Sequence, residues 1–571
     1  MTQTPGRSSA WFGAGGRSGF IHRAWMRGSG LSDEDFDGRP VIGIASSASD
    51  LVPCNVHLTL LAESVKRGVL RAGGVPLVFP TLGLGEPLMR PTTMLYRNLA
   101  ALEIEELIRA NPLDGVVLLT GCDKTTPAAL MALASVDLPG LLLTGGPMLN
   151  GKYRGKDIGA GTFVWQAETE VAAGRLDECG LRTAEAGMVR GPGHCMTMGT
   201  ASTMACLTEA LGMQLPNAAA LPAVDARRSV LAERTGARVV ELVRDDIRPS
   251  QVLTKPAFEN AVRTNAALGG STNAVVHLLA IAGRAGVELT LSEIDELGKT
   301  VPTIANLQPS GTFLMEDFAY AGGLPAVLAE IADHLELTCA TADGRTLADV
   351  VDEAVCDDRD VIRSADEPLL GPDHGIAVLT GNLAPRGAII KRSAATPALL
   401  QHSGRALVFV SIDDYNARYA DDDLEVEATT VLVIRGAGPV GYPGMPEVAN
   451  VPLPPKLVRA GVTDMVRICD GRMSGTGFGT VILHVTPESA VGGPLSRVRT
   501  GDVITVDVDA RSLRVEVDDA EFEAREPVIP DLSGRVGYEW LYAQHVLQAD
   551  AGVDFGFLQG GRPAAVPRDS H

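Results

Sequence analysis

The chain has 571 residues, 45% of them hydrophobic and 21% charged, the make-up of a globular protein with room for two or three cores. A formal charge of −21, from 70 Asp and Glu against 49 Lys and Arg, gives a diffuse acidity that repels phosphate backbones and argues against nucleic acid as a partner. No run of 18 apolar residues offers a membrane span, and the opening MTQTPGRSSAWFGAGGRSGF lacks the apolar core of a secretory signal, so a cytoplasmic location is expected.

Residues 41–45 (VIGIA) and 75–79 (VPLVF) read as strands, with an amphipathic helix predicted over 58–73 between them and another over 93–111 after them. VVLL at 116–119 reads as a third strand and GCDK at 121–124 as its exit turn. Thr125-Thr126-Pro127 then carries the Ncap-to-N1 signature of a helix start. LLLT at 141–144 is a further buried run, and helices are predicted over 200–211 and 273–285, each entered through a Gly-rich turn. Strands alternating with helices predict an α/β fold whose first domain, 1–380, is an α/β/α layer structure with a largely parallel sheet.

The charged, Pro- and Gly-rich stretch between about 356 and 386 reads as a boundary. Beyond it, 407–411, 430–434 and 481–485 are strand-like, and 502–508 and 513–517 alternate with period two around a short turn, the pattern of a hairpin. The second domain, 381–571, is therefore expected to be β-rich and barrel-like, with a helix over 538–550 packing back on the body.

Three of the eight cysteines stand in turns: Cys54 in VPCN, Cys122 in GCDK and Cys195 in GHCM. A lone cysteine is most often a small buried hydrophobe, and Cys179, Cys206, Cys339, Cys356 and Cys469 keep that reading. In open α/β sheets, however, ligands bind beyond the carboxyl ends of the strands, where Cys122 is expected. Wide spacing with no CxxC pair argues against a disulfide framework and a zinc ribbon. An iron–sulfur cluster tolerates scattered ligands, and three thiolates can leave one iron position open to act as a Lewis acid.

Carboxylates accompany the cysteines. Asp123 adjoins Cys122, Glu86 lies in GLGEP and Glu447 in GYPGMPE; carboxylates in stiff Gly/Pro loops suit Mg²⁺, and the plainer alternative is that each caps a surface turn. Lys124 would be repelled by a dication unless it pairs with Asp123, loses its proton or becomes a carbamate. In DGRMSGTG (470–477), Ser474 resembles a nucleophile on a Gly-rich turn, but Arg472 and Thr476 replace the glycines of G-x-S-x-G, and a plain turn fits equally well. GGSTN (269–273), opening a helix, offers N–H groups to an anion. GPMLNGK (146–152) has Walker A spacing, but Tyr153 replaces the Ser/Thr and no convincing helix follows, which excludes a nucleotide triphosphatase.

Together PCN (53–55), GCDKTTPA (121–128), GHCMTMGTASTM (193–204), GGSTNAVVHL (269–278) and DGRMSGT (470–476) resemble the dihydroxy-acid/sugar-acid dehydratase family over nearly the whole chain. WFGAGGRSGFIHRAWMR, GEPLMRPTTMLYRN and GGPMLNGKYRGKDIG look most like its pentonate branch, the arabinonate and xylonate dehydratases. The resemblance implies that Cys54, Cys122 and Cys195 hold a cluster, [2Fe–2S] in this branch although three ligands alone also suit [4Fe–4S]. It implies that Glu86, Asp123, Glu447 and a carbamylated Lys124 hold Mg²⁺, that Ser474 is the base, and that Thr476 lies near the substrate. The implied reaction removes water from a small sugar acid, probed first with L-arabinonate or D-xylonate, to give a 2-keto-3-deoxy acid, in a homodimer or homotetramer. The rivals are dihydroxy-acid dehydratase of branched-chain amino-acid synthesis and a non-catalytic iron–sulfur sensor.

Overall fold

Four parallel strands, β1 (Val41–Ser46), β2 (Val75–Pro80), β3 (Gly115–Thr120) and β4 (Gly140–Thr144), form a sheet in the order β2-β1-β3-β4. The structure is a computed structural model and describes residues 6–172, 175–561 and 566–567. The strands read as continuous apolar runs because both faces are covered. Ile42, Ile44, Val117, Leu119, Leu141 and Leu143 pack with Val65 of α1 (Leu58–Arg71) and with Val239 of α5 (Ala226–Asp245). Val41, Ala45, Val116, Leu118 and Leu142 face the other way. They join the cluster of α2 (Thr93–Ala110), α3 (Thr125–Val136), α4 (Thr200–Ala210) and α6 (Asn273–Ala285). The expected α/β/α layering is thus present.

From β1 the chain crosses to β2 on one side, and β3 returns on the other side of β1, so the strand order reverses between β1 and β3. Loops leaving the carboxyl ends of two such strands diverge and leave a crevice. Cys54 follows β1 and Cys122 follows β3.

The second half forms a closed eight-stranded barrel. Numbering a short hairpin, β5 (Gly151–Tyr153) and β6 (Lys156–Ile158), first, the barrel strands are β7 (Ile376–Gly381), β8 (Ala384–Lys391), β9 (Gln401–Phe409), β10 (Val431–Ile434), β11 (Arg467–Cys469), β12 (Val481–Thr486), β13 (Val503–Asp507) and β14 (Ser512–Val515). Their order is β10-β11-β12-β8-β7-β14-β13-β9, closed by the parallel pairing of β9 with β10. Alternate residues such as Leu379, Ile390, Val433, Ile468 and Ile504 fill the barrel. Their neighbours Val378, Ile389, Leu432, Leu483 and Cys469 point outward and merge with the cluster of α2, α3 and α6, so barrel and sheet layers share one core. The predicted hairpin is present as antiparallel β13–β14.

Three expectations are corrected. The last helix, α7 (Gly537–His545), stops five residues short of the predicted end, and the chain turns again at Ala549–Ala551. It does pack back: Tyr542 is buried against Met94, Leu95 and Val276, and Tyr538 donates to the Leu95 carbonyl at 3.0 Å. At α3 the cap residue is Lys124 rather than Thr126, because Thr125 Oγ1 accepts from the Gly121 N–H at 3.1 Å and donates to the Cys122 carbonyl at 2.9 Å, tightening the turn before the helix. β9 begins at Gln401, ahead of the apolar residues, since its exposed first half pairs with β13. No helix among the described residues is long and apolar enough to cross a membrane.

Candidate active site

The crevice beyond β1 and β3 brings the predicted thiols together. A side chain at Gly121 would put Cβ 2.2 Å from Asn55 Oδ1 and 3.5 Å from the Cys54 carbonyl oxygen, so the Cys54 and Cys122 turns lie against each other. Asn55 is tied beneath β1 by its Nδ2 bond to Ser47 Oγ at 3.0 Å. The Cys122 thiol donates to Cys54, which lowers the pKa of Cys54 and raises that of Cys122 well above the ordinary thiol value. Cys195 lies close enough to feel the charges of Asp123 and Cys54; burial, reinforced by those charges, pushes its pKa to about 11. Backbone N–H groups point at two of the sulfurs, Glu86 N–H at Cys122 and Gly161 N–H at Cys195. Metal loading would therefore have to displace protons held tightly by Cys122 and Cys195.

The predicted carboxylates converge beside them. Lys124 Nζ, fully buried, lies 3.1 Å from Glu86 Oε2, 3.4 Å from Asp123 Oδ2 and 3.5 Å from Glu447 Oε1. Burial opposes the ammonium, but the three carboxylates outweigh it and hold Lys124 protonated above its ordinary range. Asp123 is raised to about 6 by burial, with Glu86 and Glu447 adding to the effect and Lys124 opposing it. Glu86 is lowered: burial works against its charge, and Lys124, Arg472 and the Thr93 hydroxyl overcome it. Of the alternatives for Lys124, the pairing with Asp123 is present in the structure, with Glu86 and Glu447 as further partners.

Thr93 Oγ1 donates to Glu86, and Arg472 Nη1 donates to Glu447 Oε1 at 2.8 Å while its Nε donates to the Met445 carbonyl at 2.6 Å. Asn273 Nδ2 reaches the same Glu447 oxygen at 2.7 Å. Ser474, half-buried, lies 3.0 Å from Thr476 Oγ1, and Thr476 Oγ1 donates to the Gly161 carbonyl at 3.3 Å. Gly161 therefore links the Ser474 turn on one side to Cys195 on the other.

All nine predicted site residues thus lie in one connected neighbourhood. Sequence reasoning gave no role to Arg472, Asn273 or Thr93. All three lay inside quoted motifs, and for Arg472 and Asn273 the signal was a polar side chain near glycines at a turn or helix start. GGSTN is not an open anion cradle. Ser271 N–H donates to Thr203 Oγ1, Asn273 N–H to Ser271 Oγ and Ala274 N–H to the Ser271 carbonyl. The Walker-like segment is no phosphate loop either: Met148 N–H pairs with the His194 carbonyl, and the β5–β6 hairpin follows.

Among the described residues no group of three or more His, Cys, Asp or Glu side chains is arranged to hold a metal ion as it stands. For the carboxylates the reason is Lys124: a cation already sits where the three oxygens converge. The donor set still fits a hard dication, since three carboxylates face two cations, Lys124 and Arg472. The thiol set fits a soft metal group, with Cys54 and Cys122 in contact and Cys195 beside them.

The description "Dihydroxy-acid/6-phosphogluconate dehydratase" matches the chain twice, as the N-terminal model over residues 39–350 and the C-terminal model over 360–553. The chain belongs to this family. It is 54% identical over 576 residues to the L-arabonate dehydratase of Azospirillum brasilense, covering 99% of both chains. To the L-arabinonate dehydratase of Rhizobium leguminosarum bv. trifolii it is 53% identical over 571 residues, 99% of this chain and 98% of the other. The D-xylonate dehydratase of Caulobacter vibrioides is 40% identical over 563 residues, 95% of this chain and 94% of that one. These relatives place the chain beside the pentonate branch of a family of hydro-lyases.

Proposed function

We propose that this enzyme eliminates water from a pentonate, L-arabinonate first among the candidates, to give a 2-keto-3-deoxy acid. The observation that carries the reading is the convergence of Glu86, Asp123 and Glu447, drawn from both halves of the chain, on one buried point beside the Cys54–Cys122 turn and the Ser474 turn. The 53–54% identity to arabonate and arabinonate dehydratases over almost the full chain supports the substrate class.

Cys54, Cys122 and Cys195 would hold an iron–sulfur cluster, of the [2Fe–2S] type; Glu86, Asp123 and Glu447, with Lys124 as its carbamate, would hold Mg²⁺. When bound, these groups supply Lewis acidity toward the carboxylate and hydroxyl oxygens of a 2,3-dihydroxy acid. Carbamylation would turn the Lys124 cation into an oxygen ligand and resolve its conflict with a dication.

The chain's own part is the proton. Ser474, as its alkoxide, takes the C2 proton as the C3 hydroxyl departs as hydroxide; it then passes that proton to the hydroxide, which leaves as water, and the enol tautomerises to the keto acid, so that sugar acid becomes keto acid plus water. A serine is an unsuitable base at its ordinary acidity, and the turn contains a remedy. Thr476 N–H points at Ser474 Oγ at 3.4 Å, and Thr476 Oγ1–H can rotate from the Gly161 carbonyl to Ser474 Oγ at 3.0 Å. Two donors from one residue would then face the deprotonated oxygen, which favours the charged form.

Turnover of L-arabinonate, D-xylonate, D-gluconate and 2,3-dihydroxyisovalerate, followed as the semicarbazone of the keto acid, tests this. Pentonates are expected to give the highest kcat/KM. Activity confined to 2,3-dihydroxyisovalerate would replace the substrate assignment, and no turnover of any of the four by cluster-loaded enzyme would sink the reading.

A further inference from the structure

Asn273, the first residue of α6, is buried, and its amide meets three acceptors: Glu447 Oε1 at 2.7 Å, Thr200 Oγ1 at 2.9 Å and the Met473 carbonyl at 3.3 Å. A carboxylate and a carbonyl can only accept, so the atom facing them is the nitrogen. The other end of the amide, Oδ1, is buried without a partner. That orphan acceptor is a free-energy penalty the fold retains, and its return lies in what Nδ2 touches.

The three contacts join separate parts of the site. Glu447 is a carboxylate of the cation cluster, Met473 precedes Ser474, and Thr200 opens α4. The Ser474 turn has no slack against this anchor, since a Cβ at Gly475 would lie 2.7 Å from Thr200 N and 2.9 Å from Ser271 Oγ. Nor has α6 slack at its far end. Arg284 is fully buried there and donates to Glu105 Oε2 at 2.8 Å and to Asp554 through Nε at 2.5 Å and Nη2 at 3.0 Å. The helix is thus a strut, clamped by ions at one end and presenting one neutral amide to the site at the other.

We propose that Asn273 is a positioning residue that fixes the Glu447 carboxylate and the Ser474 turn relative to each other; the proposal deepens the dehydratase reading and rests on it. Lys124, at 3.5 Å, approaches the same Glu447 oxygen chiefly by charge, whereas Arg472 and Asn273 hold it by directional hydrogen bonds, and the Asn273 amide also bonds the Met473 carbonyl beside Ser474. By occupying Oε1 these donors leave the second carboxylate oxygen to face a cation. Loss of the amide would let Glu447 rotate and the Ser474 turn drift from it, harming cation binding and the chemical step while leaving the thiols untouched.

The test uses full-length, cluster-loaded Asn273→Ala and Asn273→Asp proteins. The second keeps the side-chain volume but sets oxygen against Glu447, and it stands in if the first does not fold. Outer-shell partners of ligands are typically worth about 10–100-fold in metal affinity or activity. For Asn273→Ala, kcat on L-arabinonate is expected to fall by that factor with KM little changed. The Mg²⁺ dissociation constant from calorimetric titration is expected to rise about tenfold, the visible cluster spectrum staying intact. Asn273→Asp is expected to lose at least as much in both. Unchanged kcat and Mg²⁺ affinity in folded, loaded variants would overturn the proposal. So would losses that merely track a bleached spectrum and a lowered melting temperature, because the amide would then be structural. If the wild-type protein dehydrates no sugar acid the reaction assignment fails, while the Mg²⁺ titrations still decide whether Asn273 governs Glu447.

Discussion

Replacing Lys124 by Met tests whether the carboxylate cluster is a cation site. The substitution keeps most of the buried chain length and deletes the ammonium that lies 3.1, 3.4 and 3.5 Å from three carboxylates. At an effective dielectric of about 20, each contact represents roughly 5 kcal/mol of gross attraction. The net loss is smaller, since the lysine no longer has to be desolvated and the carboxylates are part-exposed; breaking buried ion pairs from one side costs about 3–5 kcal/mol. In EDTA the variant should therefore melt lower than the wild type, by on the order of 5 °C in differential scanning fluorimetry. Millimolar MgCl2 should restore most of the deficit, because the three carboxylates can hold a dication without the Lys124 carbamate oxygen, and ligand binding to the native state alone raises stability. A variant as stable as the wild type in EDTA, or one that Mg²⁺ does not stabilise, would refute the reasoning.

Two further outcomes are expected. Ser474→Ala should lose dehydration by at least about a hundredfold, the scale of a positioned general base, while keeping the visible cluster absorption that Cys122→Ser should bleach; near-normal turnover would remove Ser474 from the reaction. Glu209, buried in α4 and accepting from Asn217 and Ala219 N–H at 2.8 and 2.9 Å, is raised to about 7 by burial against those bonds. The folded protein thus holds a proton that the unfolded chain releases near 4.5. The contribution is complete below that pH and is lost as pH rises through 7, by about 3 kcal/mol. Melting curves at pH 5 and 8 should show the wild type losing more stability than Glu209→Gln; equal losses would count against the shift.

The sheet was readable because β1, β3 and β4 are buried on both faces, so their sequences carry no competing polar alternation. The barrel was readable only as a strand-rich region. β11 spans three residues, β9 starts in a polar stretch, and the parallel β9–β10–β11 neighbours are brought together by closure rather than by any local turn. The cysteines were found because each stands near Gly or Pro outside the regular strands: Cys195 follows an isolated bridge at His194, while Cys54 and Cys122 lie in the connections that leave β1 and β3. Their meeting follows from strand order, β1 beside β3, which no local pattern states. The contacts of Arg472 and Asn273 escaped notice for the same reason. Lys124 and Glu447 are 323 positions apart and Asn273 and Glu447 are 174 apart, so the polar partners become neighbours only after both halves have folded.

That late meeting bears on how an acidic protein accepts an acidic substrate. Before any metal arrives, the buried cluster has three carboxylates against two cations, a net charge of one negative unit inside a chain of −21. A sugar-acid anion entering there would be repelled. A dication changes what the anion meets: it presents a double positive charge to the substrate oxygens at close range in a site of low dielectric, while the acidic surface is screened by salt. The acidic composition that argued against nucleic acid is therefore compatible with an anionic substrate, provided the cation is in place first. The three carboxylates come from both halves of the chain, so their cluster exists only in the fully assembled protein.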